Sequence, residues 1–583
     1  MRAKFLGCLS IFLLICLFAT AVSATTYYVD KNHPQASDEN PGTEDLPWKT
    51  INHAAEVLQA GDTVLVKEGR YNVGASPAWS VPAINPVNSG TPENPITFKV
   101  YPGHKVTVFV SEGHAAIGSN GKNYIIWDGF TVEMFGRMKG ILLMNTKGCI
   151  IQNCTVIGDY IDTGDNHDGI RGENSTNLTI KNCIIHGIRG KSHDSAGIKF
   201  YGVHFATVEH NLIYDCETGI QPKGKDGSNN KFRYNIVHNC GNAFFICYHK
   251  NNEVYQNIIY ECHNGFSLAC NINGFDIYNN IIHNCVYGVN TWSQKEHDNI
   301  WFFNNVFVNS DAPFKIVSGN IGHIFSDYNC FYDYTRFLID WTNIGLLPAW
   351  QNRGFDQHSI EAAPLFVNAE ANDFHLRPNS PCLAKEGEDC GGIDKQDYDG
   401  DGDTTERINM GAYITGDEII GPILNQGPQV NNESPARNAT DALKDTKISF
   451  DITDSDGVNQ SSISVSVNGN NVTQNCTITA ISNGFHVLYD PSEDFDYRQD
   501  VTVLVTATDG LGNTTNDSWS FKIKQLSDVI GFDASLNGSS VKLSWEVPDD
   551  PDYAGVEIRC FSSPDHNYKY TQQIIEKAPL FAE

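Results

Sequence analysis

The sequence predicts an all-β chain: a right-handed, single-stranded parallel β-helix followed by antiparallel β-sandwich modules. Three columns of residues carry that expectation. Asn followed within three positions by a β-branched or apolar pair recurs at Asn153, Asn182, Asn211, Asn235, Asn257, Asn280, Asn305 and Asn329, at steps of 29, 29, 24, 22, 23, 25 and 24 residues. Cys216, Cys240, Cys262 and Cys285 run beside it at steps of 24, 22 and 23. A Gly-apolar pair forms the third column, at Gly169-Ile170, Gly197-Ile198, Gly219-Ile220, Gly265-Phe266 and Gly288-Val289. Columns that keep step over a fixed period are the mark of a solenoid.

Within each repeat, segments such as Phe232–His238, Glu253–Tyr260 and Phe275–His283 have strand length and no helical period. Stacked turns lie about 4.8 Å apart, so equivalent residues form ladders. The Asn column is expected to be buried amides hydrogen-bonding along the stack, each donating one way and accepting the other. The Cys column is expected to be an inward row of small apolar groups rather than a metal site, since no CxxC or His–Cys pairing accompanies it. Upstream, Ile51, Ala54, Ala55 and Leu58 fall at helical spacing and predict a short amphipathic helix over the open end of the solenoid.

Residues 1–24 read as a Sec-type signal peptide: Arg2 and Lys4, then the apolar run Phe5–Leu17, then Val22-Ser23-Ala24 as cleavage site. That run is short for a membrane span, so a secreted, extracellular protein without membrane insertion is expected. The formal net charge of −29 argues against nucleic acid as partner. Residues 165–235 depart from it, with nine Lys/Arg, eight Asp/Glu and five His, which marks a place for an anionic ligand. Residues 25–115 are assigned to the cap and first coils, 116–415 to the repeats and closing coils, and 416–440 to a linker. Residues 441–524 alternate like an Ig-like β-sandwich. Residues 527–583 read as the first part of a fibronectin type III-like domain, incomplete at its expected length, so that the native chain is expected to continue. A monomer is expected.

Tyr27-Tyr28-Val29-Asp30, Trp48-Lys49-Thr50-Ile51, Ala60-Gly61-Asp62-Thr63-Val64 and Gly69-Arg70-Tyr71 resemble the N-terminal coils of the pectate-lyase-like β-helix superfamily. Pro364-Leu365-Phe366, Ser380-Pro381-Cys382 and Met410-Gly411-Ala412-Tyr413 resemble its closing coils. The resemblance covers about residues 25–415. It implies the fold and an acidic polysaccharide as partner, and leaves the reaction open, because that superfamily holds lyases, hydrolases and inactive members.

Side chains alternate along a strand. With Ile170, Ile198 and Ile220 inward, Arg171, Lys199 and Gln221 form one outward column, and Glu173, Tyr201 and Lys223 the next. Asp165, His167, Asp168, His193 and Asp194 precede these strands. Cleavage of a uronate polymer by β-elimination needs a base for the proton α to the carboxylate and positive charge for the enolate. Lys199 fits the base, with Arg171 and Lys223 on neighbouring turns lowering its pKa, and Tyr201 completes the catalytic set. Asp165, Asp168, Glu173 and Asp194 could supply oxygens to Ca²⁺. His167, His193, Phe245 and Trp292 are the expected substrate contacts. Asp168-Gly169-Ile170 and Gly197-Ile198-Lys199 resemble the calcium and lysine motifs of family 9 pectate lyases, which implies Asp168 as ligand and Lys199 as base. His167 and Arg171 stand where that pattern has Asp.

Two other readings compete. Asn166-His167-Asp168-Gly169 with His193-Asp194 resembles an inverting glycoside hydrolase of the polygalacturonase type, though its Gly-His-Gly and Arg-x-Lys elements are absent. A non-catalytic adhesin or sugar-binding shaft is the third. Asp397, Asp399, Asp401 and Asp403 match the first half of a calcium loop, but Ile408 replaces the closing Glu, so a structural Ca²⁺ turn is the expectation there.

Overall fold

A computed structural model of the chain describes residues 24–524 except 137–138, 161–165, 191–193, 225–226, 293–296, 386–390, 395–403, 405, 417, 424–426, 455–456, 482 and 510–512. Beyond 524 it describes four further strands. The expected signal peptide, Asp165, His193 and the Asp397–Asp403 turn lie outside the described residues. No helix among the described residues is long and apolar enough to cross a membrane.

The chain divides into two units, residues 1–424 and 425–583. The first is the expected parallel solenoid. Each turn gives one strand to each of three sheets of 12, 12 and 11 strands. One turn reads Thr179–Lys181, Ile184–His186, Ala196–Tyr201, and the next reads Thr207–Glu209, Leu212–Tyr214, Thr218–Lys223. All neighbours are parallel until the last strand of the third sheet, Thr342–Gly345, turns back antiparallel on Phe337–Ile339. The period-two pattern sorts the side chains. Ile141, Ile170, Ile198, Ile220, Phe244, Phe266, Val289 and Phe314 stack inward along the third sheet and are buried. The helix Ile51–Val57 is N-capped by Thr50, whose hydroxyl accepts from the His53 amide at 3.2 Å, and buries Ile51, Ala54 and Ala55 as its spacing requires.

The amide ladder forms from Asn211 onward. Nδ2 of Asn211, Asn235, Asn257, Asn280 and Asn305 each donates to Oδ1 of the next member, at 2.9–3.2 Å. Each of these amides also donates to a backbone carbonyl in the preceding turn. Asn153 and Asn182 do not belong to it. The register places Cys154 and Cys183 at the ladder position, with the Cys183 amide donating to Asn211 Oδ1. Asn153 and Asn182 sit one residue earlier, at the corner where φ is +56° and +55°. That corner requires the left-handed conformation which Asn tolerates, and Gln256, Asn279 and Asn304 adopt it in later turns. Cys216, Cys240, Cys262 and Cys285 are buried free thiols, each donating to the carbonyl two residues before it.

The second unit holds two four-stranded antiparallel sheets around Ile448, Phe450, Val465, Val487, Val503 and Trp519. Its first strand, Gln429–Ser434, pairs with Ile448–Thr453 and falls inside the stretch read as linker. Asn and Ser at its exposed positions gave it a loop-like composition.

Asn257 tests the ladder. It accepts from the Asn235 amide and Nδ2, and donates to Phe232 O, Tyr255 O and Asn280 Oδ1. Asn257→Ala strands several of these buried groups and is expected to cost about 2–4 kcal/mol, read as a lower urea midpoint. An unchanged midpoint would remove the ladder as a source of stability.

Candidate functional site

The third sheet positions the expected residues as the alternation requires. Arg171 pairs with Lys199 and Lys199 with Gln221, while Glu173 pairs with Tyr201 and Tyr201 with Lys223. Their column points away from the core, but it does not face solvent. Lys199 is 1% exposed and Arg171 5%. The cover comes from outside the repeat. Trp79, from the N-terminal coils, lies 5.0 Å over the Arg171 guanidinium and 3.8 Å over the Lys139 ammonium. Asn166 Oδ1 and the Asp194 carbonyl both accept from Lys199 Nζ.

Asp168 is the hub of this cluster. Its Oδ2 accepts from Arg171 Nη1 at 2.9 Å, and its Oδ1 lies 2.9 Å from Lys199 Nζ. Glu173 takes the other edge of Arg171, with the nitrogens 2.9 Å from Oε2. Lys223 pairs with the Asp194 carboxylate, and Tyr201 lies at the rim with its ring 5.7 Å from the Arg171 guanidinium. The Lys199 pKa is lowered. Burial is the largest cause, the Asp168 carboxylate opposes it, and Arg171 adds to it. Burial, not the pair of neighbouring cations, therefore does most of what was expected of Arg171 and Lys223.

Sequence reasoning missed Lys139. It stands one turn before Asp168 in the same register, is 1% exposed, and has its pKa lowered to about 8, by burial first and by Arg171 next. The signal was present, since Lys139-Gly140-Ile141 continues the Gly-apolar column one turn upstream.

Three of the four expected calcium donors are engaged by cations, and the fourth, Asp165, lies outside the described residues. Asp168 is held on both oxygens by cations, Glu173 is held by Arg171, and Asp194 by Lys223. A hard dication needs several oxygens free to converge, and among the described residues no group of three His, Cys, Asp or Glu is so arranged. The inverting acid/base pair meets a similar obstacle, because the Lys199 ammonium lies between the Asp168 carboxylate and the Asp194 carbonyl.

His167 adjoins the cluster, its amide donating to Ser195 Oγ at 3.2 Å. Phe245 and Trp292 lie further along the same sheet, edge to face with centroids 6.3 Å apart. Trp292 borders a groove of about 810 Å³ that the sequence did not reveal, lined among others by Tyr287, Asn290, Lys315 and Trp341. Lys315 continues the outward column of Phe245, Ser267 and Asn290.

Residues 27–216 match the family model described as Pel9A-like, right handed beta helix region. "Uncharacterized protein YwoF" of Bacillus subtilis (strain 168) is 24% identical over 193 residues. That match covers 32% of this chain and 36% of the relative, so the chain spans about a third of its length. Among solved structures, XylC in complex with xylose aligns over 55% of this chain and 87% of its own, at 15% identity and a TM-score of 0.38. A rhamnogalacturonan lyase aligns over 61% and 94%, at 17% identity and 0.36. The family match includes Asp168, Arg171 and Lys199. It ends before the groove.

Lys139 gives the cluster a measurable pH signature. Its folded pKa, about 8, lies below the unfolded value of 10.5. The unfolded state therefore binds more protons between those two pH values, and stability rises with pH across that window. Below pH 8 the buried charge costs about 3 kcal/mol. Lys139→Met is expected to raise the melting temperature at pH 7, with the gain fading between pH 8 and 10.5. A gain independent of pH would show that Lys139 is not buried as a cation.

Proposed function

We propose that the protein is secreted and binds an acidic polysaccharide along the outer face of the third sheet, cleaving it by β-elimination at the Lys199 cluster. The observation that carries this reading is a buried lysine with a lowered pKa, flanked by Arg171 and Lys139 on the turn before it and the turn before that. In the reaction, neutral Lys199 Nζ takes the proton α to the uronate carboxylate. The C4–O bond breaks, a C4=C5 double bond forms, and the leaving oxygen takes a proton, for which Tyr201 at the rim is placed. Arg171 and Lys139 supply the charge that stabilises the enolate. Substrate reaches Lys199 only when the segments carrying Asn166 and Asp194 withdraw from Nζ. The charge needed comes from this chain's own cations, so added Ca²⁺ is not required for turnover. The sandwich of residues 441–524 serves as an Ig-like spacer, followed by a fibronectin type III-like module.

One observation favours a second reading, a non-catalytic sugar-binding shaft: Lys199 is closed off and ion-paired to Asp168. Incubation with pectate, alginate and glycosaminoglycans, with and without Ca²⁺, separates the two. Ultraviolet absorbance of an unsaturated uronate is expected from at least one polymer, and its rate is expected to rise with pH as Lys199 loses its proton. Lys199→Ala should lower turnover by about 10²–10⁴-fold. Product formation unchanged in that variant removes Lys199 as the base, and no product from any polymer leaves the shaft reading in place.

A further inference from the structure

The groove at the far end of the same face holds two buried polar groups that have no hydrogen-bond or ion-pair partner among the described residues. Lys315 is 8% exposed, yet its ammonium meets no carboxylate among the described residues. It lies between two aromatic rings, 4.7 Å from the Tyr287 centroid and 3.3 Å from that of Trp341. Burial lowers its pKa. Beside it in register stands Asn290, 5% exposed. Asn290 Nδ2 donates to Asn264 Oδ1 at 3.1 Å, whereas its Oδ1 is buried and accepts from nothing. Buried cations are ordinarily paired and buried acceptors ordinarily filled, because leaving either bare costs free energy. Both groups line one open groove, and at its margin Trp341 is 71% exposed and Trp292 46%. Exposed indoles beside a polar pocket offer flat apolar faces to a sugar ring.

We infer that this groove is a separate binding subsite for one uronate unit of an extended polysaccharide. The uronate carboxylate pairs with Lys315 Nζ, a ring hydroxyl donates to Asn290 Oδ1, and the ring packs against Trp341 or Trp292. Of the two carboxylates lining the groove, Asp340 is fully solvated and accepts from the Ser318 amide at 3.0 Å, so solvent screens it far more than it screens Lys315. Glu217 lies at the opposite end of the lining, on the turn before Asn242. The register runs from Lys199 through Gln221 to Phe245, Ser267, Asn290 and Lys315. Five turns at about 4.8 Å separate the two lysines by roughly 24 Å, so a chain touching both must be several sugars long.

The saccharide identity rests on the polysaccharide reading above; the unpaired groups of the groove do not. Calorimetric titration in the Lys199→Ala background, where turnover is suppressed, tests it with tetragalacturonate and tetramannuronate as probes and xylotetraose as neutral reference. At least one uronate tetramer is expected to bind tenfold or more tightly than xylotetraose. Lys315→Met should abolish that preference, and Trp341→Ala, at an exposed position that cannot disturb folding, should weaken uronate binding several-fold. Thermal melting of Lys315→Met checks that it remains folded. No binding of either uronate tetramer, or a preference that survives Lys315→Met, overturns the subsite. Elimination without this binding sinks the subsite alone, and binding without elimination sinks the catalytic reading alone.

Discussion

Every functional position in the first unit depends on the register between stacked turns. Backbone hydrogen bonds between parallel strands set the spacing, and buried amides at one corner pin it. From Asn211 to Asn329 each amide oxygen accepts from the turn before it, and each Nδ2 donates forward and back. A slip of one residue would break these bonds and turn the inward Ile and Phe column toward solvent. The same slip would carry Arg171, Lys199 and Gln221 into the core. Side chains that meet on the third sheet are therefore neighbours because the turns are locked, although they stand 22–29 residues apart in the chain.

That geometry brings like charges together, and the cluster tolerates them through Asp168. Lys199 and Arg171 would repel each other on adjacent turns, and a carboxylate bonded to both converts the repulsion into a three-membered ion network. Removing Asp168 would leave two desolvated cations facing each other, which is the costly way to break a buried pair. Asp168 is thus the group that permits two buried cations to stand on adjacent turns. Lys139 lies at the edge of this network, under the Trp79 ring, where burial and then Arg171 lower its pKa and the Asp168 carboxylate opposes them.

The fold was legible because alternation and repeat spacing are local properties that survive in a one-dimensional string. The error at Asn153 and Asn182 is instructive. Two adjacent corner positions both favour Asn, one for its amide hydrogen bonds and one for its tolerance of positive φ. A search for Asn therefore merged two columns where Cys154 and Cys183 interrupt the first. The lateral placement of Arg171, Lys199, Glu173, Tyr201 and Lys223 was legible for the same reason as the fold. The burial of Arg171 and Lys199 was not, since it depends on Trp79, Asn166 and Asp194, whose placement over the sheet no periodicity encodes. Calcium was inferred from carboxylates near one another in sequence, whereas the cations that hold them stand partly on the same strand, as Arg171 does, and partly on the next turn, as Lys199 and Lys223 do. Lys315 escaped notice because Gly288 is followed in its column by Pro313, which breaks the Gly-apolar pattern at the turn that matters.

One outward ladder thus ends in two electrostatic environments. At the Lys199 end Asp168, Glu173 and Asp194 are each matched by a cation, and Arg171, Lys199 and Asp168 are held in fixed geometry with little access to water. At the Lys315 end the surface is open, and the two residues that carry a desolvated ammonium and a carbonyl oxygen with no hydrogen-bond partner among the described residues line the groove together. A saturated site gains little by binding a ligand's charge until its own pairs part, whereas an unsaturated one gains from the first contact. For a polymer laid along the helix axis, docking would therefore begin at the groove. Under the proposed elimination at Lys199, interaction gathered there would be available to separate Asn166 and Asp194 from Nζ, which is how binding remote from the reacting bond can be used for chemistry.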